Sequence, residues 1–262
     1  MQGKSVVPSK YDAARSTWAP LHPNYDIIVW DEVDLQELIA GTKWQAAIDL
    51  CEKLIQRADV YRCAVLETFG GVYIDMDMHA IKSLEPLLDE LDSSPEDIAI
   101  GLTSFSRSPL DFVLACNNAW ISSRAHSRVW EDIVFPELLK RLHIKSLMDC
   151  ISPVWYVLRT AGPGLWTHLG QTTKAIRLLP KDYFYSLKVI KGHRHLTDEE
   201  LDSLRTLSYA YHSQESAWLQ SWESMILGMF IGHRWKITVS VLVLLLLVYF
   251  ALTLRRVLVP VP

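Results

Sequence analysis

Apolar residues along this chain fall into three successive rhythms. Leu50, Leu54, Ile55, Ala58, Tyr61 and Val65 recur at helical spacing, and Gly70-Gly71 supplies a left-handed stop. The following residues, Val72-Tyr73-Ile74-Asp75-Met76-Asp77, switch to a short apolar strand that ends in two carboxylates. Ile98-Ala99-Ile100-Gly101 reads as a short buried strand after an acidic, Ser/Pro-containing loop from Leu91 to Asp97, and Val129 to Leu142 reads as an amphipathic helix interrupted at Pro136. The third rhythm is continuous. Ile237 to Leu254 carries no charge, and at about 1.5 Å per residue it is just long enough for a hydrocarbon core of roughly 30 Å.

That run predicts a transmembrane helix, with Trp235 and Tyr249 placed as interfacial aromatics. Arg234 and Lys236 flank one end and Arg255 and Arg256 the other, so flanking charge does not orient it. Residues 218–236 precede it, with Trp218, Leu219, Trp222, Met225, Ile226, Met229 and Phe230 at helical intervals. This predicts an amphipathic juxtamembrane helix, lying in the interface plane or packed on the preceding domain. The expected organisation is a catalytic domain over 1–217, the juxtamembrane helix over 218–236, the span over 237–254 and a tail over 255–262. No secretory signal or N-terminal anchor is legible in the opening residues.

Candidate chemistry centres on the strand end. Side chains alternate along a strand, so Asp75 and Asp77 are expected on one face and Met76 on the other. Two carboxylates on one face suit Mg²⁺ or Mn²⁺, cations that pair protein carboxylates with substrate phosphates. An Asp-x-Asp alone also fits a solvated strand edge. Upstream, Asp59 and Arg62 stand three residues apart and share a helix face. They fit either a surface ion pair worth a few tenths of a kcal/mol or a pair that grips a phosphate and a sugar hydroxyl.

Composition narrows the classes. The 262 residues are 50% hydrophobic, enough for a sizeable core, and a net charge of −4 offers nothing to a nucleic acid. Cys51, Cys63, Cys116 and Cys150 are spread singly, which favours buried small hydrophobes over zinc ligands. His193 and His195 sit among Lys191, Gly192 and Arg194 in a basic, polar stretch from Lys181 to Asp202, and read as solvated loop residues.

The segment RADVYRCAVLETFGGVYIDMDM resembles the core of the Asp-x-Asp sugar transferases that include fungal initiating α-1,6-mannosyltransferases and inositol-phosphoceramide mannosyltransferases, glycosyltransferase family 32. Asn24 to Asp31 is similar to that family's second strand, and Thr160-Ala161-Gly162-Pro163-Gly164 to its Thr-Gly-Pro segment. Asn117 to Ile121 is similar to a segment whose asparagine enters the cleft after a strand, with a polar turn as the plainer reading. Ile176 to Phe184 with Pro180 resembles its strand-to-loop passage, and His212 to Trp218 its closing element. The family's opening strand has no counterpart in MQGKSVVPSKYDAARSTW.

The resemblance implies a GT-A-like α/β domain with a mixed sheet, and a retaining, metal-dependent transfer of a hexose. The first expectation is mannose from GDP-mannose, with a UDP-sugar as the other donor class, passed to a membrane lipid or glycan. It implies Asp75, Asp77 and Asn118 at the reacting centre, with Asp75, Asp77 and His212 on Mn²⁺ or Mg²⁺. Asp59, Arg62, Gly71, Tyr73 and Trp218 would hold the donor. It also implies a Golgi membrane protein with a lumenal catalytic domain. Two other classes fit some of the residues. A haloacid-dehalogenase-like phosphatase uses a strand ending Asp-x-Asp, although His79 stands where that pattern has Thr or Val. A degenerate, membrane-tethered partner protein would bind nucleotide sugar without turnover.

Overall fold

Backbone hydrogen bonding first organises the N-terminal part into short capped helices. The computed structural model describes residues 9–103, 115–146, 149–150, 152–185 and 197–213, all within the unit Met1–Trp218. After α1 (Asp12–Arg15) come α2 (Glu32–Ile39) and α3 (Lys43–Asp49), capped by Asp31, which accepts from the Asp34 amide at 2.9 Å, and by Thr42, which accepts from the Trp44 amide at 3.3 Å. The longer α4 (Leu54–Phe69) starts where the Gln56 side-chain oxygen accepts from the amides of Glu52 and Lys53. The Gln56 amide donates to Thr160 at 2.8 Å, which ties the start of α4 to a distant helix.

Helix α4 ends because Gly70 and Gly71 both take positive φ, 66° and 84°. At Gly70 a Cβ would lie 2.6 Å from the Ala125 amide nitrogen, so the turn needs glycine for space as well as for dihedral freedom. There follow β1 (Gly71–Ile74), β2 (Met78–Ala80), α5 (Glu85–Asp92), β3 (Ile98–Leu102) and β4 (Cys116–Ser123). A π-helical turn, Trp130–Val134, leads into α6 (Phe135–His143), followed by α7 (Pro153–Thr160), α8 (Pro163–Thr172), β5 (Ile176–Leu179), α9 (Asp198–Leu207) and β6 (Ala210–His212).

Four strands make a mixed sheet in the order β1-β4-β3-β5, antiparallel except for the parallel β3–β5 pair. This is a mixed α/β fold. Alternation along β3 sends Ile98 and Ile100 into one core with Leu66, Trp130 and Trp166, while Ala99 faces a second core with Met78, Trp120 and Phe184. A separate antiparallel ribbon joins β2 to β6, with Met78 opposite His212 and Ala80 opposite Ala210. It ties residues 78–80 to a segment about 130 positions later.

Several sequence expectations change. Asn24 to Asp31 forms no strand: Ile27 and Ile28 are roughly half exposed, and residues 26–30 have no ladder partner among the described residues. Apolar, β-branched character alone makes no strand without an edge to pair with. The interruption expected at Pro136 takes the form of the π-helical turn Trp130–Val134, after which Pro136 occupies the first turn of α6. Helix α5 runs to Asp92, so the expected Leu91–Asp97 loop begins only at Ser93, and α9 covers Asp198 to Asp202 within the expected exposed loop. Cys51, Cys63 and Cys116 are free and buried, as small hydrophobes would be, whereas Cys150 is exposed. Among the described residues no helix is long and apolar enough to cross a membrane; the expected span at 237–254, the helix at 218–236, Trp218, His193 and His195 lie outside them.

Candidate functional site

Strand β1 delivers its carboxylates to the site through a turn. The ladder to β4 closes with the Asp75 amide donating to the Ala119 carbonyl at 2.8 Å, and the Met78 amide then donates back to the Asp75 carbonyl at 3.0 Å. Asp75 and Asp77 therefore converge because a tight turn separates β1 from β2, not because they alternate on one strand as the sequence suggests. Met76, at the turn, is half exposed. The β2–β6 ribbon brings in His212, whose Nε2 lies 2.9 Å from Asp77 Oδ1, and the Ser213 amide and hydroxyl both donate to the Asp77 carbonyl at 3.0 Å. One ligand atom from each of Asp75, Asp77 and His212 can be chosen so that all lie within 4.8 Å of one another.

Behind this cluster lies a buried polar frame. Asp59 and Arg62 are each only 4% exposed, so the surface ion pair considered from the sequence is excluded. Arg62 Nη2 sits 2.8 Å from Asp59 Oδ1, and Nη1 is 3.3 Å from Asp75 Oδ1 and donates to the Asn118 carbonyl. Its guanidinium stacks 4.5 Å from the Tyr73 ring centre, and the Tyr73 hydroxyl donates to Asp75 Oδ1 at 2.7 Å. Asn118 lies inside β4, neither after a strand nor in a turn, and its amide donates to Asp59 Oδ1 at 2.7 Å. Gly71 is exposed and no atom lies within 4 Å of where its Cβ would be.

Electrostatics follow from one guanidinium shared among carboxylates. Burial, reinforced by the charge of Asp75, pushes Asp59 up to about 6, against the pull of Arg62 and the Asn118 hydrogen bond. Burial works against the charged form of Arg62, but Tyr73, Asp75 and Asp59 outweigh it and hold the arginine charged. At His212 burial pulls downward, yet the hydrogen bond and charge of Asp77, with Asp75 behind, raise its pKa above the ordinary value.

The donor set fits a divalent cation. With His212 deprotonated, as a metal ligand must be, the carboxylates of Asp59, Asp75 and Asp77 against Arg62 leave two excess negative charges, which one divalent ion would balance. Two carboxylate oxygens suit Mn²⁺ or Mg²⁺, and the imidazole nitrogen, a softer donor, favours Mn²⁺ of the two. The frame holds Asp75 through Oδ1 alone.

Residues 8–94 match the family model described as a glycosyltransferase sugar-binding region containing a DXD motif. Asp75-Met76-Asp77 lies inside that match. The segment is thus similar to a DXD sugar-binding region. The chain is 34% identical over 84 residues to inositol phosphoceramide mannosyltransferase 3 of Schizosaccharomyces pombe, covering 31% of this chain and 24% of that protein. It is 35% identical over 86 residues to a mannosyl phosphorylinositol ceramide synthase of Saccharomyces cerevisiae, covering 31% and 22%. The match thus spans about a quarter of the length of these curated relatives. Among solved structures, a chain titled PaToxG Glycosyltransferase is similar with a TM-score of 0.40 and 17% identity over 65% of each chain.

The DXD region holds Asp59, Arg62, Tyr73, Asp75 and Asp77, while Asn118 and His212 come from outside it. Sequence reasoning missed Ser213 and the N-terminal brace on β2, where Trp18 Nε1 donates to the Met78 carbonyl at 2.9 Å and the Ala80 amide donates to Thr17 at 2.8 Å. Ser213 was legible only as the neighbour of His212. Nothing in the spacing of Thr17 and Trp18 signalled the brace.

Proposed function

We propose that this protein is a metal-dependent glycosyltransferase that moves a hexose from a nucleotide sugar to an acceptor. The observation that carries this is the convergence of Asp75, Asp77 and His212, two of them inside the DXD region, with Asp75 braced by Arg62 and Tyr73. A bound divalent cation would supply charge stabilisation to the departing diphosphate. Asp75, Asp77 and His212 would hold that cation. Asp59, Asn118 and Arg62 form a frame that fixes the direction of the Asp75 carboxylate, and Gly71, at the far end of β1, is assigned to the donor from the family resemblance alone. Trp218 is assigned to donor closure from the family resemblance alone.

The finer reading is a retaining transfer of mannose from GDP-mannose to an inositol-phosphoceramide-like lipid. Its support is the activity for which the fungal relatives are named and the apolar run at 237–254, which suits a single-pass anchor in a Golgi membrane with the catalytic domain in the lumen. The phosphatase reading is less favoured because Asp75 and Asp77 lie within the match to a glycosyltransferase sugar-binding region.

The test is a donor screen with the full chain in detergent, following release of GDP or UDP with Mn²⁺, with lipid and soluble glycan acceptors in parallel. Mn²⁺-dependent GDP release stimulated by the lipid acceptor is expected. Full transfer in the presence of chelator would overturn the metal assignment, and preference for soluble glycans would overturn the lipid one.

A further inference from the structure

Tyr185 stands beside the carboxylate cluster, and none of the roles above uses it. It follows the 3₁₀ turn Lys181–Tyr183 and is only 4% exposed. Its neighbour Phe184 stacks on Trp120 at 4.3 Å between ring centres, which pins the chain here. Room for the Tyr185 ring is made in β3, where the register to β4 shifts between Ile100 and Gly101: a Cβ on Gly101 would come within 2.9 Å of Tyr185 Cε2. The ring then meets His212 edge to face, with centres 6.1 Å apart.

Among the described residues, the Tyr185 hydroxyl is buried without a hydrogen-bond partner, and so is Nδ1 of the adjacent His212. Burying a hydroxyl without a partner is unfavourable, and a phenylalanine would fill the same space without that cost. Phe184 shows that the chain uses the hydroxyl-free ring one position earlier. A phenol hydroxyl carries its proton at neutral pH and can donate it in a hydrogen bond. A donor beside carboxylates that have gathered a cation is suited to an anionic oxygen brought in with that cation.

We propose that the Tyr185 hydroxyl is a substrate-binding donor that hydrogen-bonds a diphosphate oxygen held at the Asp75, Asp77 and His212 site. This rests on the reading of that site as a metal–diphosphate centre, and it adds a residue from beyond the DXD region that selects the anion rather than the metal.

The test compares the full chain with its Tyr185→Phe variant by calorimetric titration of Mn²⁺ alone and of pyrophosphate in saturating Mn²⁺, together with thermal melting. The expected result is unchanged Mn²⁺ affinity, an unchanged or higher melting temperature, and pyrophosphate binding weakened about tenfold, the scale of one hydrogen bond to a charged group. Equal pyrophosphate affinity in both proteins would overturn the proposal. So would a matching loss of Mn²⁺ affinity, which would make Tyr185 a support for His212, or a clear drop in melting temperature, which would give the hydroxyl a structural partner. The absence of Mn²⁺–pyrophosphate binding by the wild-type chain would overturn it as well. If pyrophosphate binding behaves as expected but no nucleotide sugar is turned over, the transferase reading fails and the Tyr185 assignment stands.

Discussion

Asp59 and Asp77 each sit against one basic side chain, Arg62 and His212 at 2.8 and 2.9 Å, yet they belong to different kinds of structure. Asp59 is sealed in the α4–β4 interface, with Oδ1 taken by both Arg62 and Asn118. Asp77 lies on a turn between β1 and a two-stranded ribbon, its side chain 14% exposed, beside Asp75 at 29%. The same carboxylate chemistry therefore gives framework in one place and ligand capacity in the other. What decides is which backbone carries it: a helix packed on a sheet seals its polar groups, whereas a turn at a strand end leaves them facing outward.

The contrast predicts that changes in the frame act on stability and changes in the turn act on function. The largest effect is expected from Arg62→Met, which leaves buried Asp59 without its cation and should cost about 3–5 kcal/mol in urea unfolding. A loss below 1 kcal/mol would mean that the frame is not the structural half of the pair.

Next comes pH. Asp59 has a folded pKa of about 6 against an ordinary value of 3.8. Its folded-state pKa is raised, so the folded form binds the extra proton, and the resulting stabilisation is fully present below 3.8 and is lost as pH rises through about 6. The stability of the wild type relative to Asp59→Asn should fall by on the order of 2 kcal/mol between pH 4 and pH 7. A flat difference across that window would show that Asp59 carries no such shift.

Gly70→Ala is expected to cost about 1–3 kcal/mol, because the new Cβ meets the Ala125 amide at positive φ. Thermal melting of the variant checks it, and an unchanged melting temperature would mean that the α4–β1 turn relaxes freely. The smallest stability effect belongs to Asp77→Asn, within about 1 kcal/mol of the wild type, since a half-open turn can rehydrate an amide. Chemical unfolding of that variant sets the lower end of the comparison.

The frame and the turn also differ in how far the sequence revealed them. Helix α4 and its stop were legible because periodicity and Gly70-Gly71 are local signals, and so was β3. The burial of Asp59 and Arg62 was not, because α4 carries them on the face that meets Asn118 in β4, nearly 60 positions on. The pairing of Asp77 with His212 spans 135 positions, and the family resemblance, rather than any spacing, brought His212 forward. Asn24 to Asp31 misled in the opposite direction. The family resemblance promised a strand there, but strand formation depends on an available edge, which no segment encodes by itself.

The central claim is that the turn cluster takes up a divalent cation while the buried frame only orients it. Calorimetric titration of Mn²⁺ into the wild type and Asp77→Asn, both verified as folded, tests this most directly. The account predicts one Mn²⁺ bound by the wild type, with Mg²⁺ competing, and an affinity at least about tenfold weaker in Asp77→Asn, equivalent to the loss of about 1.4 kcal/mol of ligand interaction. Equal Mn²⁺ affinity in the two proteins would contradict it.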